Sequence, residues 1–367
     1  MAHIGIDARL THYRLGGISR YITAIISAFE ELEPAHEITV LQSRKSPNRL
    51  SSRFRRAGLW TPPHHRLERA ALSLELWPRG LDLLHSPDFI APYRAARRHI
   101  ITVHDLSFIH YPKYITAESR RYYNGQIKAS IARADHILVD SEATKRDLID
   151  ILSAPADLIT VHMLGVDEAF QPLPRETTAD VIGALGLPAE YFLFVGTLEP
   201  RKNLVGLANA YRELKLEIPD APKLVVVGRP GWHYEQLMAE LRMVGIDQHL
   251  EIRHDVTDAQ LPALYNQALA MVTPSFYEGF GLTALEAMAC GTAPIVSCVA
   301  SLPEIVGDVG LLIDPHDTAT ITQALKTALT DDRWREAQSQ AALRRAAGFR
   351  WIDTGRCVLE CYDAALS

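Results

Sequence analysis

The sequence predicts an α/β architecture: two doubly wound parallel sheets in tandem. Three observations predict it. Short apolar runs of strand length alternate with helix-length segments along nearly the whole chain, which implies parallel sheets covered on both faces. The alternation breaks once, near residue 171, in a Pro- and Gly-rich stretch, and then resumes. The chain is 367 residues long, which suits two domains at about 150 residues each.

Taken in order, the first series of strand-like runs is HIGIDA, EITVLQ, LDLLHS, HIITVHD, DHILVDS and DLITVHM. Helical patterns fall between them, such as GISRYITAIISAFEEL and SEATKRDLIDIL, the latter opening with Ser141 or Glu142 near its cap. The stretch QPLPRETTADVIGALGLPAE reads as the interdomain linker. The second series is YFLFVG, KLVVVG, LEIRHD, LAMVTPS, APIVS and GLLID. The last segment, FRWIDTGRCVLECYDAALS, has amphipathic helix spacing, with Trp351, Val358, Leu359 and Tyr362 as its buried stripe and Cys357 and Cys361 packing at i, i+4. The expected division is therefore residues 1–172, residues 173–345, and a helix at 346–367 that returns to the N-terminal domain. Ligands of such sheets bind beyond the carboxyl ends of the strands, so a cleft where the two domains face each other is the expected active site.

Composition removes several function classes. Hydrophobic residues at 47% and charged residues at 22% are ordinary globular values and exclude a disordered or fibrous chain. The longest apolar runs are strand-length, so no membrane span is expected. MAHIGIDA enters a strand without a basic and then apolar leader, so no secretory signal is expected. The four cysteines fall in the last third with no zinc-ligand spacing, which points to a reducing cytosol. A net charge of -6 argues against a general nucleic-acid binder. Residues 41–100 depart from this, with twelve Lys/Arg against four Asp/Glu, a local +8 against -14 in the remainder. The stretch SRKSPNRLSSRFRRAGLW sets Arg53, Arg55 and Arg56 beside Phe54, Leu59 and Trp60. It reads either as a solvated loop or as a patch at residues 44–60 that meets an anionic membrane or a phosphorylated acceptor.

The most informative stretch is TPSFYEGFGLTALEAMACGTAPIVS. A strand ends near Ser275, a Gly-rich turn follows, and a helix starts near Leu282. Gly279 and Gly281 let backbone amides approach a ligand, and those amides with the helix N-terminus suit an anion such as phosphate. Glu278 precedes the turn and Glu286 lies inside the helix. Carboxylates there suit vicinal hydroxyls of a sugar or ribose. Arg201 and Lys202 follow the strand YFLFVG, where two cations can neutralise a diphosphate leaving group. His104, after HIITV, can donate to a sugar hydroxyl, with Asp105 orienting it or capping the next loop. Ser86 and Asp88 close another strand, and His85 beside them reads equally as packing. Arg229, after KLVVVG, is placed to meet a base or ribose. Gly16 and Gly17 form a turn after the first strand, and Arg14 and Arg20 nearby suit an anionic acceptor.

EGFGLTALEAMACG resembles the donor-binding motif of retaining glycosyltransferases of family 4, which have the two-domain GT-B fold. RLGGISRY, TVHDLSFIHYP, VGTLEPRKNL and LGVDEAFQP resemble further motifs of that family, although Leu164 stands where many members have Asn. The resemblance spreads over nearly the whole chain. It implies that Glu286 holds ribose hydroxyls, that Arg201, Lys202 and the amides of Phe280, Gly281 and Leu282 hold the diphosphate, and that Glu278 and His104 face the donor sugar. Gly16, Gly17 and Arg229 would complete the donor site, with Arg14, Ser86, Asp88 and Asp105 on the acceptor side. It implies transfer of a hexose from a nucleotide diphosphate sugar, with retention by front-face attack, the leaving phosphate taking up the acceptor's proton. TVHDLSFIHYP with GTLEPRKNL resembles mannosyltransferase-type members, which favours GDP-mannose over UDP-glucose-type donors. No DxD-type metal motif is evident, so no metal or other cofactor is expected. The expected acceptor is a saccharide or lipid-linked saccharide, handled in the cytoplasm or peripherally at the inner membrane face. Two alternatives stay open: a nucleotide-sugar epimerase or hydrolase, and a non-catalytic nucleotide-sugar binding protein.

Overall fold

The structure is a computed structural model and describes residues 1–13 and 16–367. Arg14, expected on the acceptor side, lies outside the described residues. The chain divides into two compact units. The first comprises Met1–His110, Ala117–Gly165 and Arg350–Ser367, and the second Tyr111–Thr116 and Val166–Phe349.

The first unit holds seven strands: β1 His3–Asp7, β2 Glu37–Ser43, β3 Arg55–Leu59, β4 Leu81–Ser86, β5 Ala96–Val103, β6 His136–Val139 and β7 Ile159–Val161. Their order is β3-β2-β1-β4-β5-β6-β7, with each pairing parallel. The second unit holds β8 Tyr191–Val195, β9 Lys223–Val227, β10 Leu250–Arg253, β11 Ala270–Thr273, β12 Pro294–Ser297 and β13 Leu311–Ile313, ordered β10-β9-β8-β11-β12-β13 and again parallel. Each order reverses direction once, between β1 and β4 and between β8 and β11. That reversal is the topological switch point at which doubly wound sheets open a crevice.

Helices explain why the strands read as unbroken apolar runs. Tyr191, Phe192, Leu193 and Phe194 are all buried, since both faces of the sheet are covered. In the first unit, the helix Gly17–Leu32 buries Tyr21, Ile22, Ile25, Ile26 and Phe29, a helical stripe. It stops at Glu33, in the left-handed conformation at φ 50°. The last helix, Trp351–Leu366, packs on it and so belongs to the first unit. Gly355 is what lets these helices approach, because a Cβ there would sit 2.8 Å from Ala28 Cβ. Val358 and Tyr362 are fully buried, while Trp351 and Leu359 are half-buried.

Three differences from the sequence reading have physical causes. The division falls at Gly165/Val166, not at 172/173, because the supposed linker is part of the second unit. Arg175–Ala184 is a helix packed on the helix Leu261–Gln267, and Asn266 accepts from the Leu173 amide at 2.9 Å and donates to Gln171 O. Tyr111–Thr116 belongs to the second unit through aromatic packing: the Tyr111, Tyr114 and Phe276 rings stack, and the Tyr111 hydroxyl donates to Phe276 O at 3.1 Å. Finally, the basic stretch contains an edge strand, β3. Ala57 and Leu59 point inward on one face, packed with Leu72 and Leu76, Gly58 lies on the other face, and Arg55 at the strand's start is exposed.

Candidate functional site

In the second unit the residues singled out by sequence converge at the switch point. Arg201 and Lys202 sit in a 3-10 turn, Pro200–Lys202, just after β8. Glu278 follows β11, the strand hydrogen-bonded to β8 across the reversal. Lys202 Nζ donates to Glu278 Oε1 at 2.5 Å, Ser275 Oγ donates to the same oxygen at 2.7 Å, and Arg201 Nη1 lies 3.5 Å from Oε2. Arg201 also bonds Glu199 Oε1 at 2.7 Å and Tyr277 O at 2.5 Å, and the Phe276 amide donates to Arg201 O at 3.0 Å. The two turns are thus tied to each other.

Glu278 is buried. Burial pushes its carboxyl up, but the charges of Lys202 and Arg201, with hydrogen bonds from Lys202 and Ser275, reverse this and hold it down at about 2. Such a carboxylate is a fixed negative charge and a poor proton acceptor near neutrality. Removing one partner would strand a buried charge, at a cost of about 3–5 kcal/mol.

The turn after Glu278 leads into the helix Leu282–Ala289. Gly281 caps it at φ 111°, a backbone region that favours glycine, and a Cβ there would meet Leu302 Cδ2 at 2.7 Å. Ser301 Oγ bonds the carbonyls of Glu278 and Phe280 at 2.9 and 2.8 Å and fixes the turn from below. Phe280 is buried against Phe349, and Leu282 is half-buried. Glu286 lies buried within the helix and accepts from the Tyr265 hydroxyl at 2.9 Å. Arg229, after β9, is exposed. Two cavities of this unit, about 660 and 610 Å³, are not lined by Glu278, Lys202 or Glu286; the second borders the neighbouring residues Pro200, Asn203 and Phe276.

The first unit arranges its polar strand ends differently. His104 donates from both ring nitrogens, Nδ1 to Asp140 Oδ2 at 2.7 Å and Nε2 to Pro87 O at 2.9 Å. Burial pulls its pKa down, but the charge and hydrogen bond of Asp140, the Pro87 carbonyl and Asp88 bring it up to about 9. His104 is therefore an imidazolium held between two acceptors. Asp105 does not orient it: Asp105 Oδ1 caps the following turn through the Ser107 amide and hydroxyl at 2.9 and 2.7 Å. Asp140 does, from the end of β6. His85 is packing. It bonds the Tyr362 hydroxyl at 2.6 Å and Thr102 Oγ1 at 2.8 Å, and burial first, then the charges of His162 and His104, push its pKa down to about 3. His162 Nε2 bonds the Tyr21 hydroxyl at 2.8 Å. Asp88 is engaged by His64 Nε2 at 2.8 Å and the Phe89 amide at 2.7 Å. Ser86 Oγ is buried with no hydrogen-bond partner among the described residues.

Gly16 and Gly17 are exposed; they are the N-cap and first residue of the helix Gly17–Leu32, and a short helix, Leu10–Tyr13, stands between β1 and them. Gly16 has an extended backbone at φ 170° and open space where a Cβ would stand, so nothing local demands glycine there. In the basic stretch, Arg53 pairs with Glu33, Arg55 lies 3.9 Å from Glu37, and Arg56 donates to Ser46 O at 2.7 Å. Sequence reading missed Glu199, Ser275, Tyr265 and Asp140, which hold Arg201, Glu278, Glu286 and His104. Ser275 and Glu199 lie three and two residues from their partners and were legible as neighbours; Tyr265 and Asp140, 21 and 36 residues from theirs, were not.

Two doubly wound parallel sheets, each reversing its order once, are the GT-B architecture of glycosyltransferases. The chain belongs to glycosyltransferase family 4: residues 15–170 match the description "Glycosyltransferase Family 4" and residues 181–345 match "Glycosyl transferases group 1". Among similar proteins is the O-antigen chain mannosyltransferase B of Escherichia coli, 34% identical over 76% of this chain and 74% of that one. The serotype-specific mannosyltransferase WbdA of Escherichia coli is 32% identical over 67% of this chain, which spans only 31% of WbdA's length. The sucrose-phosphate synthase of Thermosynechococcus elongatus shares the fold, with a TM-score of 0.80 at 21% identity over 99% of both chains. The protein is a glycosyltransferase.

Proposed function

We propose that this enzyme transfers mannose from GDP-mannose to a hydroxyl of a saccharide or lipid-linked saccharide, with retention at the anomeric carbon and without a divalent metal. The observation that carries the reading is the Lys202–Glu278–Ser275 knot at the switch point of the second sheet. Lys202 has three donors and uses one on Glu278, which leaves two for a phosphate oxygen. Arg201 adds a second charge as the diphosphate departs. Glu278, held ionised at about 2, accepts from sugar hydroxyls and positions the donor. A carboxylate so weakly basic does not deprotonate the acceptor, which leaves that role to the departing phosphate. Glu286 takes the ribose hydroxyls, the amides of Phe280, Gly281 and Leu282 take the diphosphate, and Arg229 meets the base or ribose.

Mannose is supported by the two relatives named as mannosyltransferases, one matched over most of its length. A saccharide-chain acceptor is supported by the name of the first. We assign the reaction to the cytoplasmic side as part of the same proposal. No helix among the described residues is long and apolar enough to cross a membrane.

The test is turnover with GDP-mannose and a mannose-containing oligosaccharide, with product configuration read from its anomeric proton signal, with and without EDTA. An α-linked product unaffected by EDTA is expected. Free mannose or an epimerised nucleotide sugar without acceptor modification would replace this reading with the hydrolase or epimerase.

A further inference from the structure

The helix Glu68–Leu76, with the turn Trp77–Arg79 after it, is built inside out. Its inner face carries two charged residues, Glu68 and Arg69, beside Leu72 and Leu76, all buried. Its outer face carries Leu67, Ala70, Leu74 and Trp77, spaced i, i+3, i+7 and i+10 on one side. Leu67 is 66% exposed, Leu74 78% and Trp77 69%. A surface helix ordinarily shows the opposite arrangement.

Its carboxylates do not face outward to relieve this. Glu68 accepts from Arg9 at 2.7 Å and from the His64 amide at 2.6 Å. Glu75 accepts from the Trp60 and Thr61 amides at 2.6 and 3.0 Å. These bonds set Trp60, itself 69% exposed with Arg44 stacked 3.1 Å from its ring centroid, beside the helix. On the other side, Ser73 Oγ accepts from the Tyr93 and Arg94 amides at 2.9 and 3.2 Å, which brings exposed Tyr93 and Arg94 to the same helix. Arg66, in an exposed pair with Glu118 at 3.6 Å, and Arg79 flank the stripe in the chain. The outcome is an aromatic and leucine face rimmed by arginines, within a segment of net +8 in a chain of net -6.

We propose that this face, Leu67, Leu74 and Trp77 with Trp60 beside them, docks the first unit on an anionic bilayer surface. Leucines and indoles suit the boundary between headgroups and acyl chains, and the arginine rim suits lipid phosphates. Charge complementarity selects an anionic bilayer over a neutral partner. The docking surface is thus centred on this helix, which carries the exposed leucines and indole, and not on Arg53, Arg55 and Arg56, whose apolar neighbours Phe54 and Leu59 are buried. The inference does not depend on which sugar is transferred, and its test uses no turnover, so the two readings fail separately.

The test is co-sedimentation of the full chain with vesicles of phosphatidylglycerol and phosphatidylcholine, against phosphatidylcholine alone. The wild type is expected to bind the anionic vesicles, less strongly as salt rises. Leu74→Glu with Trp77→Glu is expected to weaken binding about tenfold or more, with an unchanged melting temperature because both side chains are exposed. Arg53→Ala with Arg55→Ala and Arg56→Ala is expected to weaken it much less. No wild-type binding to anionic vesicles, or a Leu74→Glu/Trp77→Glu variant that binds like wild type, would overturn the proposal. So would lipid-free sedimentation showing a wild-type dimer that this variant dissolves, since the face would then join two copies of the chain.

Discussion

The two sheets share one winding order and differ in what stands at their carboxyl ends. In the second, charges meet across the switch point: Lys202 and Arg201 after β8 and Glu278 after β11. In the first, the strand ends are closed by a buried network in which His85, His162, Tyr21, Thr102 and Tyr362 bond one another, with His104 locked on Asp140. The difference teaches that one scaffold can either present charge or neutralise it at the same topological position. The second sheet carries two cations on a fixed carboxylate, and the first carries histidines bonded at both ring nitrogens, with Ser86 Oγ beside them left without a partner among the described residues.

The largest expected effect breaks the charged side of this comparison. Lys202→Ala or Glu278→Ala should lower kcat by at least about 100- to 1000-fold, the scale of losing one preorganised charge partner, measured by single-turnover transfer. Wild-type turnover in either variant would remove the cradle from the mechanism. Next is Glu286→Ala, expected to raise the KM for the donor more than it lowers kcat, with Tyr265→Phe producing a weaker version of the same change through the Glu286 it holds. A kcat effect without a KM effect would move Glu286 away from donor binding.

The neutralised side is sharpened by pH. His104 has its folded pKa raised from 6.5 to about 9. Its contribution to stability is complete below pH 6.5 and is lost as pH rises through about 9, a change on the order of 3 kcal/mol at most. Asp140→Asn should remove that slope, measured by denaturant unfolding at pH 6 and pH 9. A slope that survives in the variant would mean that Asp140 does not hold the imidazolium. Glu278 works in the opposite direction: its pKa is depressed from 4.5 to about 2, so its contribution is present above pH 4.5 and is lost as pH falls toward about 2. The smallest effect is Ser301→Ala, which removes the two bonds under the Gly-rich turn at a cost of about 1–3 kcal/mol, seen as a lower melting temperature.

The same comparison explains what the sequence could show. The second unit's site is written in short motifs: PRK lies in one turn, and Glu278, Gly281 and Glu286 fall within nine residues of one another. Local patterning therefore reveals it. The first unit's network joins His85 to Tyr362 and His162 to Tyr21 across long sequence separations. No local pattern encodes such pairs, and so Asp105, adjacent to His104, was the partner the sequence offered, while Asp140, 36 residues away, was not legible. The strands were legible because doubly covered sheets produce unbroken apolar runs. β3 was not, because an edge strand needs only two inward residues, Ala57 and Leu59, and here two arginines precede them. The helix at 175–184 was hidden by flanking prolines and glycines that mimic a linker.

The most direct measurement is the shift in melting temperature caused by GDP, UDP, ADP and dTDP, each with and without EDTA, on the wild type and on Lys202→Ala. A ligand bound only by the folded state adds about 2.7 kcal/mol at a hundredfold excess over its Kd. A shift selective for GDP, indifferent to EDTA and lost in Lys202→Ala, is the predicted result. No shift with any nucleotide, or an equal shift in the variant, would contradict the charged cradle.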